Sequence, residues 1–409
     1  MSDFYQNGIV ATFHRLKQAN LDNLENELSD FSQRKGITLV LPSLYSEIGG
    51  PGLAKIVAEL KPVGYLREII VTLGQADSQQ FDEFKRFFAD VPQKVNIVWN
   101  SGPRIQALYD ELVENDLNPG PDGKGRSTWM ANGYILAEGG SRVIALHDCD
   151  IMTYSREMLG WLIYPVASDK LDYEFCKGYY SRITDRMHGR VTRLFVTPLI
   201  RALMKLVGNK GILRYFNSFR YILAGEFSMT TELARINRIP ADWGLEVGVL
   251  AEIYRNCSLP RICQAEICDN YEHKHQMLSA EDKEKGLNKM AIDIAKSIFR
   301  TLASEGVVYN QVFFNSLRAA YQRSAEDLIT KYHGDAMINN LRYDKHEEEF
   351  AVGVFSSAIR TAAETIFDDP LGPPMIPNWT RVFSAIPDFD ERLLEAVRLD
   401  NSAGPWRQQ

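Results

Sequence analysis

The chain has 409 residues, 45% of them hydrophobic, enough to bury a large core and to form two or three domains. Its net charge is −7, with acids and bases interspersed and no long basic run, which excludes a nucleic-acid partner gripped by phosphate neutralisation. Five irregularly spaced cysteines (Cys149, Cys176, Cys257, Cys263, Cys268) exclude a disulfide framework and a CxxC zinc site, and a reduced cytoplasmic protein is expected.

The N-terminus, Met1-Ser2-Asp3-Phe4, lacks the basic start and apolar run of a signal peptide. Residues 4–31 read as a helix, because Phe13, Leu16, Leu21, Leu24, Leu28 and Phe31 recur at spacings of three to five. After Gly36 the pattern changes. Residues 37–41, 68–73, 95–99 and 143–146 are short, β-rich apolar runs, and helical periodicity fills 52–60, 79–88 and 105–113 between them. Such alternation predicts an α/β fold: a mostly parallel sheet, flanked by helices, with its ligand beyond the carboxyl ends of the strands. The most membrane-like stretches are 158–167, which is too short, and 191–208, which Arg193, Arg201 and Lys205 interrupt, so no membrane span is expected. From about residue 280 the strand signal fades. Residues 283–303, 310–331 and 345–367 read as three long helices, followed by a Pro-rich segment at 369–377. The expected organisation is an N-terminal helical extension (1–35), a catalytic α/β body (36–280, dividing near 150) and a C-terminal helical domain (281–409).

The run ending at Leu146 leads into His147-Asp148-Cys149-Asp150. Side chains at i and i+2 of an extended chain point alike, so Asp148 and Asp150 can converge past the strand end. Two hard carboxylates suit Mg²⁺ or Mn²⁺ bound together with a diphosphate. A bare Asp-x-Asp is more often a structural turn, and the apolar strand directly before it is what favours a site. Gly123-Lys124-Gly125 closes a Gly/Pro-rich loop (118–125) before a helical stretch at 127–136. Glycines admit phosphate to the backbone and the lysine adds a mobile charge, although GxxxxGK[ST] is not met. His188-Gly189-Arg190-Val191-Thr192-Arg193 opens another helical stretch, 191–206, whose N–H groups, hydroxyl and guanidinium make an anion site or merely a charged cap. Leu223-Ala224-Gly225-Glu226 and Trp243-Gly244-Leu245-Glu246 set carboxylates among apolar neighbours, where an acid must be paired or functional. Tyr271-Glu272-His273-Lys274-His275 follows an apolar strand at 262–267, and either histidine is a candidate metal ligand or a surface residue.

In order and spacing, these blocks resemble the glucosyl-3-phosphoglycerate synthases, retaining glycosyltransferases of the GT-A type. The resemblance is carried across about residues 37–280 by Leu41-Pro42-Ser43-Leu44, Gly123-Lys124-Gly125, Asp148-Cys149-Asp150, Lys177-Gly178-Tyr179-Tyr180, Gly189-Arg190-Val191-Thr192, Leu223-Ala224-Gly225-Glu226, Gly244-Leu245-Glu246-Val247-Gly248 and His273. It implies that Pro42 and Leu44 line the nucleobase pocket and that Lys124 meets the nucleotide. Asp148, Asp150 and His273 would hold a divalent cation, with Asp150 as the direct ligand. Gly189, Arg190, Val191 and Thr192 would bind the acceptor, and Glu246, with Trp243 beside it, the glucose. The family's Pro-Ala-Leu-Asn-Glu-Glu is here Pro42-Ser43-Leu44-Tyr45-Ser46-Glu47, leaving Glu47 as the candidate pocket acid. Its Asp-Ser-Gly-Ser-Thr-Asp segment is replaced by Leu73-Gly74-Gln75-Ala76-Asp77.

The implied reaction moves glucose from UDP- or GDP-glucose to the 2-hydroxyl of 3-phosphoglycerate, with Asp150, Glu246 and Lys124 as the catalytic group. Mannosyl transfer from GDP-mannose, or an unphosphorylated glycerate acceptor, is the alternative within the class. A nucleotidyltransferase would carry a Gly-rich basic loop after the first strand, where this chain has Leu41-Pro42-Ser43-Leu44-Tyr45. A non-catalytic sugar binder would be expected to lose an aspartate or His273. The C-terminal helices are candidates for a dimer interface or for packing on the acceptor site, and a homodimer is expected.

Overall fold

The computed structural model describes residues 6, 8–17, 20–240, 244–273, 286–372 and 374–402. Apolar, β-branched segments form β1 (Ala11–Phe13), β2 (Gly36–Leu44), β3 (Glu68–Gly74), β4 (Val95–Trp99), β5 (Ser141–Leu146), β6 (Phe175–Ser181), β7 (Phe227–Thr230) and β8 (Ile262–Asn270). These make one sheet in the order β1-β8-β6-β7-β5-β2-β3-β4. Neighbours are parallel except around β7, which runs antiparallel to β5 and β6. Side chains alternate between two cores. Leu39 and Leu41 of β2 join Ile69 and Val71 of β3 on one face, and Val40 joins Ile70 on the other.

The helices expected between the first strands are Pro51–Leu60, Ser78–Phe87 and Pro103–Glu114, and the next, Lys124–Glu138, begins directly after Gly123. The N-terminal helix is shorter than the periodicity predicts. It spans Leu21–Ser32, capped by the Asn20 side chain, while Ala11–Phe13 pairs with β8 as an edge strand. Val10, Ala11 and Thr12 are compatible with either period, and the open edge of β8 decides for the strand. The stretch 191–206 is not a continuous α-helix: a π-helical segment, Val191–Val196, precedes Thr197–Val207. Pro198 has no N–H for the Leu194 carbonyl four residues earlier, and that carbonyl accepts the Tyr321 hydroxyl at 2.7 Å.

The long helices Gly286–Ser304, Gln311–Ile338 and Lys345–Asp368 pack into the core on the Val40 face. Lys345–Asp368 is long and apolar enough to cross a membrane by composition, but its most apolar window is mostly buried in the fold. Two further helices, Trp379–Ala385 and Phe389–Asn401, return to the α/β body. Trp379 stacks on Trp129 at 4.1 Å, and each indole N–H meets a backbone carbonyl: Trp129 donates to Pro377 (2.7 Å) and Trp379 to Trp129 (3.0 Å). Gly133 allows this contact, since a Cβ there would collide with the Trp379 ring. All five cysteines are buried free thiols.

Candidate active site

Residues 147–150 leave β5 without continuing it: the chain turns at Cys149 and Asp150. The turn begins directly after Asp148, and each carboxylate meets a different partner. Asp148 Oδ1 lies 2.6 Å from Lys124 Nζ, which stands on the first turn of Lys124–Glu138 and also reaches Glu246 Oε1 at 3.4 Å. Glu246 is the second residue of the helix Leu245–Asn256. Burial would raise the Asp148 pKa, but the ammonium outweighs it and holds the carboxyl below its ordinary value. Burial likewise opposes the charge on Lys124, and Asp148 and Glu246 overcome it, so the lysine stays protonated.

Asp150 Oδ2 faces His273 Nδ1 at 3.4 Å. Their two segments are sewn together by three bonds. Met152 N–H donates to Glu272 O (2.7 Å), Glu272 N–H to Thr153 Oγ1 (3.1 Å), and the Thr153 hydroxyl to Asn270 O (3.1 Å). Gly52 lets the helix Pro51–Leu60 approach this turn, because a Cβ there would lie 2.8 Å from the Asp150 backbone carbon. As the side chains lie, no three His, Cys, Asp or Glu among the described residues form a ligand cluster. Asp150 and His273 supply a ready oxygen–nitrogen pair, and Asp148 is the adjacent carboxylate. His147, fully buried with neither ring nitrogen hydrogen-bonded, is pushed down to about 3 by desolvation and is neutral.

The end of β2 borders the same turn. Burial raises the pKa of the Cys149 thiol, and Ser43 and Glu47 are close enough to act on it. Pro42 pairs with Thr72 inside the sheet, Leu44 is about half exposed, and Glu47 lies in the short helix Tyr45–Gly49. At the end of β3, Gln75 adopts φ 50°, and Asp77 is spent capping Ser78–Phe87 through Gln80 N–H (2.9 Å).

Gly189 has φ +70°, and Arg190 and Val191 lead into the π-helical segment. Arg190 is held by Glu347 (2.9 Å) and Glu348 (3.1 Å) of Lys345–Asp368, and Glu348 also binds Arg193 at 2.9 Å. The Thr192 hydroxyl is buried and makes no hydrogen bond. Tyr221 connects this block to the rest: it packs beside Gly189, receives a hydrogen bond from Arg182 (3.1 Å) and lies 5.0 Å from the Tyr180 ring. Trp243 and His275 lie outside the described residues.

Two buried charges were not assigned roles from sequence. Lys177 of β6 is 1% exposed and donates to Ala224 O at 2.6 Å. Glu226 is 0% exposed and accepts from Tyr180 (2.7 Å) and Tyr271 (2.6 Å). Its apolar setting demanded a partner, but Tyr180 of β6 and Tyr271, just past β8, share no sequence pattern with it.

Carboxylates beyond the carboxyl end of a central parallel strand, offset by a lysine at a helix start, suit a donor that departs as a diphosphate. On this sheet they define a glycosyltransferase of the GT-A type. No family model matches the chain. It is 47% identical over 402 residues to the glucosyl-3-phosphoglycerate synthase of Persephonella marina, covering 98% of this chain and 100% of that one. It is 39% identical over 403 residues to the synthase of Methanococcoides burtonii, covering 97% and 98%. The chain belongs to the glucosyl-3-phosphoglycerate synthase family. In fold it also resembles the Mycobacterium tuberculosis glucosyl-3-phosphoglycerate synthase. The complex of that protein with Mn²⁺, UDP-glucose and phosphoglyceric acid matches with a TM-score of 0.52 at 20% identity, over 74% of this chain and 89% of that one. Its complex with Mg²⁺ and UDP matches with a TM-score of 0.52 at 22% identity, again over 74% and 89%.

Proposed function

We propose that this chain transfers glucose from a nucleoside diphosphate-glucose to the 2-hydroxyl of 3-phosphoglycerate with retention at the anomeric carbon. The observation that carries the reading is Lys124 bridging Asp148 and Glu246 beside the Asp150–His273 pair. The family membership and the UDP-glucose and phosphoglyceric acid bound by the M. tuberculosis protein support the same substrates.

Asp150, His273 and Asp148 would hold a divalent cation, as hard oxygen and imidazole donors suit Mg²⁺ or Mn²⁺. Such an ion, when bound, offsets the charge that grows on the departing diphosphate. Lys124 supplies a second positive charge at the same place, and Glu246 orients the sugar through its hydroxyls. Bond making and breaking occur on one face: the C1–O bond to the diphosphate breaks as the acceptor oxygen bonds to C1. The acceptor proton passes to the departing phosphate oxygen. A covalent route needs an uncommitted carboxylate, and the carboxylates here are engaged. Asp148 and Glu246 face Lys124, and both Glu226 oxygens are taken by tyrosines.

Arg190 and Thr192 are the proposed acceptor grips. The half-exposed Glu347 is the partner a phosphorylated acid would displace from Arg190, while Glu348, 6% exposed, stays with Arg193. The test is release of nucleoside diphosphate from UDP- and GDP-glucose and GDP-mannose, with 3-phosphoglycerate or glycerate, in Mg²⁺ or Mn²⁺. NMR of the product then reads the anomeric configuration. A β-linked product, or no preference for 3-phosphoglycerate, would sink the reading.

A further inference from the structure

The segment Leu223-Ala224-Gly225-Glu226 is anchored by two buried charges that the reaction above does not use. The ammonium of Lys177 holds the Ala224 carbonyl, and the Glu226 carbonyl accepts from Gly178 N–H at 2.9 Å. Gly225 is pressed against the first aspartate: a Cβ there would lie 2.6 Å from Asp148 Oδ2. The Glu226 carboxylate takes one tyrosine hydroxyl on each oxygen, Tyr180 from β6 and Tyr271 from just past β8. The two rings stack at 3.9 Å and 7°. Tyr271 then meets His273 edge-on at 5.5 Å, and His273 faces Asp150. One carboxylate thus ties three strand ends together, directly behind both halves of the acidic site.

A fully buried charge is a poor stabiliser compared with apolar residues of similar volume. Its value lies in orienting what it touches. The two tyrosines also differ in a useful way. Each donates one bond of nearly equal length to the same carboxylate, but Tyr271 alone lies on the arm that carries His273.

We propose that Glu226 is a positioning residue for the transfer reaction: through the Tyr271 hydroxyl it holds the His273 arm against Asp150 in the geometry that receives the divalent cation. This rests on the cation reading above. Partners behind metal ligands commonly contribute ten- to a hundredfold in metal affinity.

The matched pair Tyr271→Phe and Tyr180→Phe tests it on the full-length protein, with Glu226→Gln as the conservative change at the carboxylate itself. Mn²⁺ affinity is measured by calorimetry in the presence of UDP, alongside thermal stability and the Mn²⁺ dependence of turnover. Tyr271→Phe is expected to weaken Mn²⁺ binding about tenfold and to raise the Mn²⁺ needed for half-maximal rate to match. Tyr180→Phe should shift either by less than about twofold, with an equal loss of melting temperature, because the two lose equivalent bonds. Glu226→Gln should fall between them, since the amide keeps one acceptor oxygen. Equal effects of the two tyrosine changes on Mn²⁺, or no effect of either, would make the cluster merely structural and overturn the proposal. The tyrosine pair decides the matter even if Glu226→Gln does not fold. A wild-type protein that binds no Mn²⁺ and turns over fully in EDTA would fail differently, removing the cation reading underneath.

Discussion

Lys124 lies 2.6 Å from Asp148, so one of the two aspartates after β5 is neutralised by a lysine while the other faces a histidine. The ammonium stands where positive charge is needed for a diphosphate, and it also competes for a carboxylate that a cation would use. Lys124→Met is therefore expected to have opposite effects on two ligands. Mn²⁺ binding without nucleotide should tighten, because Asp148 is released, while nucleotide binding weakens about ten- to a hundredfold from the lost charge-assisted contact. Calorimetry with each ligand alone reads both. Loss of both affinities together would contradict the competition.

The acceptor block makes an equally directional prediction. Glu347 shares Arg190 with any incoming anion, so Glu347→Gln should lower the KM for 3-phosphoglycerate several-fold, by about 1 kcal/mol or less given its exposure. Arg190→Ala should raise that KM about ten- to a hundredfold, and Arg190→Lys should restore only part, because an ammonium lacks the planar fork. Donor affinity without acceptor should stay constant in all three. A donor-binding defect in Arg190→Ala would place that residue on the wrong substrate.

Lys177 predicts a pH signature. Desolvation, only partly offset by Glu246 and Glu226, pushes its pKa down to about 8 from 10.5. Between these values the unfolded chain binds more protons at this position than the native one, so its contribution to stability rises as pH rises from 8 to 10.5. Below pH 8 the cost of the buried charge is fully present. Relative to Lys177→Met, the wild type should gain up to about 3 kcal/mol across that window. Denaturant melts of both proteins at a series of pH values test this, and a pH-independent difference would refute it.

Trp379→Ala should remove a buried indole, its stacking on Trp129 and the hydrogen bond its N–H donates to the Trp129 carbonyl. A cost of about 3–5 kcal/mol in denaturant unfolding is expected. Trp129 lies on the helix that starts with Lys124, so nucleotide affinity should fall as well. An unchanged unfolding midpoint would show that the C-terminal helices contribute little to the α/β body.

Much of this was legible in the chain itself, because period and local chemistry survive in a linear sequence. The short apolar runs at 37–41, 68–73, 95–99 and 143–146 became β2, β3, β4 and β5, since a strand covered on both faces needs no partner to be recognised. The Lys124, Asp148 and Glu246 motifs stood out as charges that apolar or glycine-rich neighbours do not tolerate without a reason. Edges and pairings were different. Whether residues 11–13 join a helix or a strand depends on an open edge of β8 some 250 residues away, and periodicity extended the helix through them. Which partner each of Asp148 and Asp150 meets depends on the turn at Cys149 and on Lys124 and His273 from distant segments, which local periodicity does not place. That Arg190 is met by Glu347 and Glu348, and Glu226 by Tyr180 and Tyr271, was decided by tertiary structure alone. Burial makes an ionised group demand a partner, and sequence shows that demand, but which residue meets it depends on how distant strands and helices pack.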